Sequence, residues 1–311
     1  MSGCAEVYIN MGLIKPKNRL IDHGTFYDTS EDSREDFFFI QAADTQLGMM
    51  SNWDTDTKST KTDQYAKGLI TWEKEIELCR KMVKVANAMS PLPEFIVICG
   101  DLLDAFPEKW PDVRNEQEKD FKAIFRESKV PVICVCGNHD VGDAPTTNSI
   151  QLYKKSFGDD FFSFWVKGIK FLVLNSQLFE NIDSCKEEAE EHEKWLDDQL
   201  HYHSSNHKGK PLVVFQHIPW FINEPDEEKI YFNVSLPLRE RMLEKFHSSG
   251  VSTIFCGHYH RNAGGFYKEM ELVVTSAVGC QIGNDGHGFR NVHVSNSGKI
   301  SHEYKTLDSY S

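Results

Sequence analysis

Five short clusters in this chain carry residue types that hold metal ions and move protons. They are Ala43-Asp44-Thr45-Gln46, Gly100-Asp101-Leu102-Leu103-Asp104, Gly137-Asn138-His139-Asp140, Gln216-His217-Ile218-Pro219 and Gly257-His258-Tyr259-His260. Each follows an apolar run rich in Val, Ile, Phe or Leu, the pattern of a buried strand. A polar residue at the end of such a strand faces the sheet edge, where ligands bind. Five such endings in order can bring carboxylates, an amide oxygen and imidazoles around one point, which is what a two-metal centre needs. Within the last cluster, His258 and His260 stand two apart, a spacing that points both the same way on extended backbone.

The elements that must position these clusters are legible from periodicity. Phe37–Ala43, Phe95–Cys99 and Val130–Cys136 read as strands. Leu69–Met89 carries Ile76, Met82, Val83 and Ala86 at helical spacing and is stopped by Pro91 and Pro93; Asp112–Ser128 is a second helix. The resulting β-α-β-α-β order predicts a parallel sheet covered on both faces. Lys167-Gly168 then marks a hairpin between Phe161–Val166 and Ile169–Asn175. An acidic helix over Glu188–His203, a strand over Leu212–Gln216, a helix over Leu236–His247 and a strand over Ser252–Cys256 follow. From Phe266 onward the pattern is all-β. Ser51–Lys67 reads as a long polar loop, of a length usually functional or mobile. Residues 1–35 read as an irregular N-terminal arm, and residues 36–308 as a single α/β domain of two packed mixed sheets with helices outside.

Bulk properties narrow the function. The 311 residues carry a formal net charge of −13, with acidic residues crowded at Glu187–Glu193 and Asp226–Glu228. That balance disfavours coating nucleic acid, which needs Lys and Arg on phosphates. It leaves room for a small phosphorylated group, because bound cations invert the local field. No 18-residue apolar stretch or secretory pattern is present, so no membrane span is expected. Cys99, Cys134, Cys136 and Cys256 lie inside apolar runs and read as buried thiols in a reducing cytoplasm. Cys134-x-Cys136 lacks a second pair to complete a zinc site. Asn233-Val234-Ser235 matches a glycosylation acceptor that a cytoplasmic chain would not use.

Taken in order, the clusters resemble those of the calcineurin-like metallophosphoesterase superfamily, from about Phe37 to His260. The resemblance implies a four-layer αββα sandwich and two divalent cations, with Mn, Fe, Zn and Mg all compatible with the donors. It implies Asp101 as the carboxylate bridging both cations. Asp44, His260 and position 46 would complete the first site, and Asn138, His217 and His258 the second. His139 would protonate or stabilise the leaving-group oxygen, as its near-neutral pKa suits. Asp104 would pair with His139 and orient it.

Two positions depart from the family pattern. Position 46 is Gln46 where the motif usually has His, a weaker donor to transition metals, and Asp54 or Asp56 offers a substitute. Position 105 is Ala105 where the phosphoprotein phosphatase branch has Arg, which leaves Arg261 or Arg290 to clamp phosphate. Asp104 also stands where purple acid phosphatases need a Tyr, so no iron–tyrosinate colour is expected. Phe161–Trp165, Leu172–Gln177, Phe215–Pro219 and Gly257–Gly265 resemble a smaller group of calcineurin-like phosphoesterases regarded as cytosolic Ser/Thr phosphoprotein phosphatases. The implied activity is therefore hydrolysis of phosphoserine or phosphothreonine by a monomeric enzyme. A small-molecule phosphodiesterase or nucleotidase and a non-catalytic scaffold are the alternatives. The loops Gly48–Lys67 and Ile218–Tyr231 should rim the site and separate the two enzymes: a deep, aromatic-lined slot would favour a nucleobase, an open face a phosphopeptide.

Overall fold

The computed structural model describes residues 12–21, 26, 35–54, 56–61 and 64–310. In chain order the elements are β1 (Phe37–Ala42), α1 (Met49–Asn52), β2 (Trp53–Asp54), β3 (Ser59–Thr60), α2 (Glu73–Ala88), β4 (Ile96–Cys99), α3 (Pro111–Phe125), β5 (Val132–Val135), α4 (Asn138–Val141) and α5 (Thr147–Phe157). They continue as β6 (Phe162–Val166), β7 (Ile169–Val173), α6 (Lys186–Asn206), β8 (Leu212–Phe215), α7 (Leu236–Ser248), β9 (Val251–Cys256), β10 (Ala263–Tyr267), β11 (Met270–Val274), β12 (Gly288–Val294) and β13 (Ile300–Thr306).

Two sheets result. One has the order β13-β12-β1-β4-β5, with β1, β4 and β5 parallel. The other has the order β10-β11-β9-β8-β7-β6, with β11, β9, β8 and β7 parallel. Strand alternation divides the side chains between layers. In β4, Ile96 and Ile98 face α2, α3 and α5, whereas Val97 and Cys99 enter the space between the sheets. That space is packed with phenylalanine. Phe39 stacks on Phe95 at 4.6 Å, and Phe164 on Phe171 at 5.0 Å. Each fully buried ring contributes about 1.5–3 kcal/mol. Helices α6 and α7 cover the outer face of the second sheet through Leu196, Leu200, Met242 and Phe246. The expected four-layer αββα sandwich is the observed one.

Three local features differ from the expectation. Helix α5, with Ile150, Tyr153 and Phe157 inward and a Thr146–Ser149 capping box, is not among the elements expected from periodicity. The polar stretch after Ser51 contains the small β2–β3 hairpin, closed by Trp53 and Asp54 opposite Thr60 and Ser59. Part of the N-terminal arm is regular. Leu13 bridges to Val132 at the edge of the first sheet, and Leu20 bridges to Ser163 at the edge of the second. One extended segment thus joins both sheets along the same side. The rest of residues 1–35 lies largely outside the described residues.

Candidate metal centre

The parallel strands β1, β4, β8 and β9, with β5 beside them, deliver the five clusters to one edge of the sandwich. The turns out of β1, β4 and β9 use an unusual backbone. Asp44 (φ 52°), Gln46 (35°), Asp101 (50°), His258 (71°) and His260 (52°) all adopt left-handed conformations. Such residues are uncommon outside glycine and gather at functional sites. His258 and His260 therefore do not share a face by strand alternation, as their spacing suggested. The left-handed turn sends them to different partners. Glycines in the clusters permit close approach. A Cβ on Gly137 would collide with the Asp101 carboxylate, and one on Gly257 would stand 2.6 Å from Asp44 Oδ2.

Two sets of three donors form there. In Asp101, His217 and His258, one candidate ligand atom from each lies within 4.8 Å of the other two, and the same holds for Asp44, Asp101 and His260. Asp101 is common to both. His217 Nδ1 donates to the Cys99 carbonyl at 2.8 Å, and its Nε2 lies 3.3 Å from Asp101 Oδ2 and 3.0 Å from Asn138 Oδ1. His260 Nδ1 donates to the Cys280 carbonyl at 2.5 Å, with Nε2 3.4 Å from Asp44 Oδ1. A backbone carbonyl on Nδ1 fixes the tautomer that leaves Nε2 as a lone-pair donor. Asn138 donates through Nδ2 to Asp143 at 2.8 Å, which turns its oxygen inward. Gln46 Oε1 is buried without a hydrogen-bond partner. An unpartnered buried oxygen beside fixed imidazoles and carboxylates fits a site built for divalent cations.

The electrostatics agree with crowded, buried ligands. Burial pushes Asp44 well above the carboxylate range. Burial also opposes charge on Asp101, but His217 and His139 together outweigh it and hold its carboxyl low. Burial lowers His260 to about 4. His217 goes the other way, to about 9, because Asp101 and Asp44 overcome its desolvation.

His139 lies beside this cluster. Its backbone N–H donates to Asp101 Oδ1 at 2.9 Å, and its Nδ1 donates to the Asp104 backbone carbonyl at 2.7 Å. The Asp104 carboxylate is farther, 3.4 Å from Nδ1, and is held by Tyr65 Oη at 2.5 Å and Gln46 Nε2 at 3.1 Å. Asp104 thus holds the ring through its main chain, and its side chain acts on His139 only through its field. Burial lowers the His139 pKa, but Asp101 and Asp104 raise it further, so the net shift is upward.

A cavity of about 250 Å³ opens over Asp101, Asn138, His139, His258 and His260. Met49, Asn52, Trp53 and Thr60 rim it on one side, and Tyr231 and Phe232 on the other. Both rim loops expected from the sequence are there. Each is anchored: buried Glu75 accepts from Gly48 N and Met50 N, while Glu227 accepts from Ile222 N and Asn223 N. The buried Asn233 of the glycosylation pattern is tied into the second loop by Glu227.

Some expected residues are elsewhere. Arg290 is buried on β12, where it donates to Thr275, Asn262 and the Val274 carbonyl, away from the cavity. Arg261 lies on the Tyr259 ring at 5.0 Å and is not among the lining residues. Asp54 caps its own turn by accepting from Asp56 N and Thr57 N, and neither Asp54 nor Asp56 lines the cavity. Conversely, Tyr65, Asp143 and Asp140 contribute to the site without a role expected from the sequence. Asp140 locks the 137–141 turn by accepting from Gly137 N and Leu102 N and pairing with buried Arg114 at 3.2 Å. The Asp140 signal was present as the last residue of its cluster.

The model of the calcineurin-like phosphoesterase family matches residues 39–262. This chain belongs to that family. Serine/threonine-protein phosphatase CPPED1 of Bos taurus is 43% identical over 289 residues, spanning 91% of this chain and 88% of that protein. The Homo sapiens protein of the same name is 43% identical over 279 residues, spanning 88% of this chain and 85% of that one. Among solved structures, a dimetal phosphatase from Danio rerio shares the fold with a TM-score of 0.60 at 15% identity, covering 87% of this chain and 96% of that chain. Family membership joins the two donor sets to phosphoester hydrolysis.

Proposed function

We propose that this chain is a metal-dependent phosphatase that hydrolyses phosphoserine and phosphothreonine in proteins. The observation that carries it is Asp101, shared by both donor sets and bonded to the His139 backbone. In this reading Asp101 spans two cation positions. Asp44, Gln46 and His260 complete one, and Asn138, His217 and His258 the other. Two bound divalent cations would neutralise the phosphate oxygens and lower the pKa of a water toward about 7. His139 supplies the proton: Nδ1 is held by the Asp104 carbonyl, and Nε2 protonates the serine or threonine oxygen as the P–O bond breaks. Asp101 and Asp104 raise the affinity of the ring for that proton against the effect of burial. Neither Arg261 nor Arg290 lines the cavity, so charge on the transferred group would fall to the two cations and His139.

The substrate class rests on the relatives that carry the phosphatase name. Residues 36–308 serve as the catalytic domain, with 1–35 as an arm. No helix among the described residues is long and apolar enough to cross a membrane. The seven cysteines among the described residues are free and buried, which supports a reducing, cytoplasmic compartment; we take the enzyme to act as a monomer.

Elemental analysis of purified protein tests this reading together with phosphate release from a phosphoserine peptide, a nucleoside monophosphate and a nucleotide diester. Metal binding with preferred turnover of the peptide is expected. Asp101→Asn should lower metal content and nearly abolish turnover. Full metal occupancy with normal rates in that variant overturns the bridge, and preference for either nucleotide overturns the substrate class.

A further inference from the structure

A second cavity, of about 380 Å³, adjoins the metal cavity. The two share Asn52, Thr60, Asp104, His139 and Tyr231, so they form one continuous groove. His139 stands at the junction. Resting on the function proposed above, phosphate occupies the metal side and its leaving oxygen faces His139. The rest of the substrate must then leave through the second cavity.

The chemistry of that cavity is distinctive in an acidic protein. Its wall is aromatic: Tyr65 stacks on Trp110 at 5.3 Å with ring planes 17° apart, and Phe106 lies against His139 at 4.4 Å. It contains two lysines, Lys61 and Lys109. Neither forms a close salt bridge among the described residues: Lys61 lies in the field of exposed Asp54, and Lys109 Nζ faces the Trp110 ring at 5.9 Å. The lining carboxylates are already engaged. Asp104 is held by Tyr65 and Gln46, and Asp143 by Asn138 and Tyr231. The cavity therefore sets two lysines over an aromatic wall, while its two lining carboxylates, Asp104 and Asp143, are tied by hydrogen bonds to neutral side chains.

We infer that this second cavity is a specificity subsite that selects phosphopeptides carrying an acidic side chain next to the phosphorylated residue. Lys61 and Lys109 would pair with that carboxylate, and the Tyr65–Trp110 stack would support its aliphatic stem. Opposite charges brought together at a partly exposed rim change affinity by a few-fold each, more when two act together.

The test compares three phosphoserine peptides that differ only in whether Glu, Ala or Lys flanks the phosphoserine. The intact protein should show kcat/KM about fivefold to tenfold higher for the Glu peptide than for the Ala peptide. Lys109→Glu should invert the order, favouring the Lys peptide; loss of a merely structural lysine would not do that. Lys61→Ala should bring the Glu-to-Ala ratio toward unity, and added salt should do the same in the unaltered protein. Equal rates on all three peptides would overturn the subsite while leaving the phosphatase reading intact. Retained Glu preference in both variants would overturn it as well. Failure to release phosphate from any peptide would defeat the phosphatase reading itself and the subsite with it.

Discussion

His139 is oriented by a main-chain carbonyl, so changing the Asp104 side chain and changing His139 should have different consequences. His139→Gln is expected to keep the fold and metal content while lowering kcat by about 10²–10⁴, the range for a lost general acid. Aryl phosphates, whose leaving groups need little protonation, should lose less than phosphoserine; equal losses measured on the two substrates would remove the acid role. Gln46 gives a second contrast. Its Nε2 holds Asp104 and its Oε1 is buried and unpartnered. Gln46→His should tighten the cation position shared by Asp44, Asp101 and His260, most for Zn or Mn, because imidazole binds these ions better than an amide oxygen does. Metal titration reads this directly, and unchanged affinity at both positions would mean that residue 46 serves Asp104 alone.

At the scale of elements, helix α6 carries a pH-dependent weakness. His192 is fully buried between Phe161 at 4.7 Å and Phe179 at 5.1 Å, and neither ring nitrogen has a partner. Burial, with Arg19 nearby, lowers its pKa to about 3. The unfolded chain binds this proton below pH ~6.5, while the native state refuses it until about 3. Stability from this group is thus complete above the unfolded value and falls as pH drops, by up to about 1.4 kcal/mol per unit within that window. Urea denaturation at pH 7 and pH 5 should show a smaller loss for His192→Leu than for the unaltered chain; parallel losses would assign acid sensitivity elsewhere. The elements also show what a sequence reveals. Glycine-flanked Asp101, Asn138 and His258 stood out because close approach demands glycine beside them and strand ends demand polar exits. Tyr65 and Glu75 did not, because their partners, Asp104 and the Gly48–Met50 backbone, come from distant loops with no period to betray them. Arg290, expected as a phosphate clamp, is instead a buried structural cation. Its burial depends on Thr275 and Asn262, which only the folded sheets bring near.

Across the whole molecule, the two sheets are joined at one side by residues 12–21. Arg19 sits 3.6 Å over the Phe161 ring and pairs with Asp160 at 3.2 Å and Glu191 at 2.7 Å. Asp160 is buried, so removing its main cation leaves a charge that Lys154, 3.8 Å away, neutralises incompletely. Arg19→Ala should destabilise the protein by about 2 kcal/mol. A lowered urea midpoint with an unchanged denaturant slope would show it; a shift below a few tenths of a kcal/mol would mean that the arm contributes only its backbone bridges.

The left-handed backbone at Asp44, Asp101, His258 and His260 has an energetic corollary. Each such conformation costs a side-chain-bearing residue about 1–2 kcal/mol that glycine would not lose. Glycine at these positions would relieve that strain, so the fold carries a local cost wherever it holds a candidate ligand on left-handed backbone. Glycine there would also forfeit the bonds that Asp44 accepts from His258 N and Asp101 from His139 N, so a glycine scan of these four positions would separate relieved strain from lost contacts.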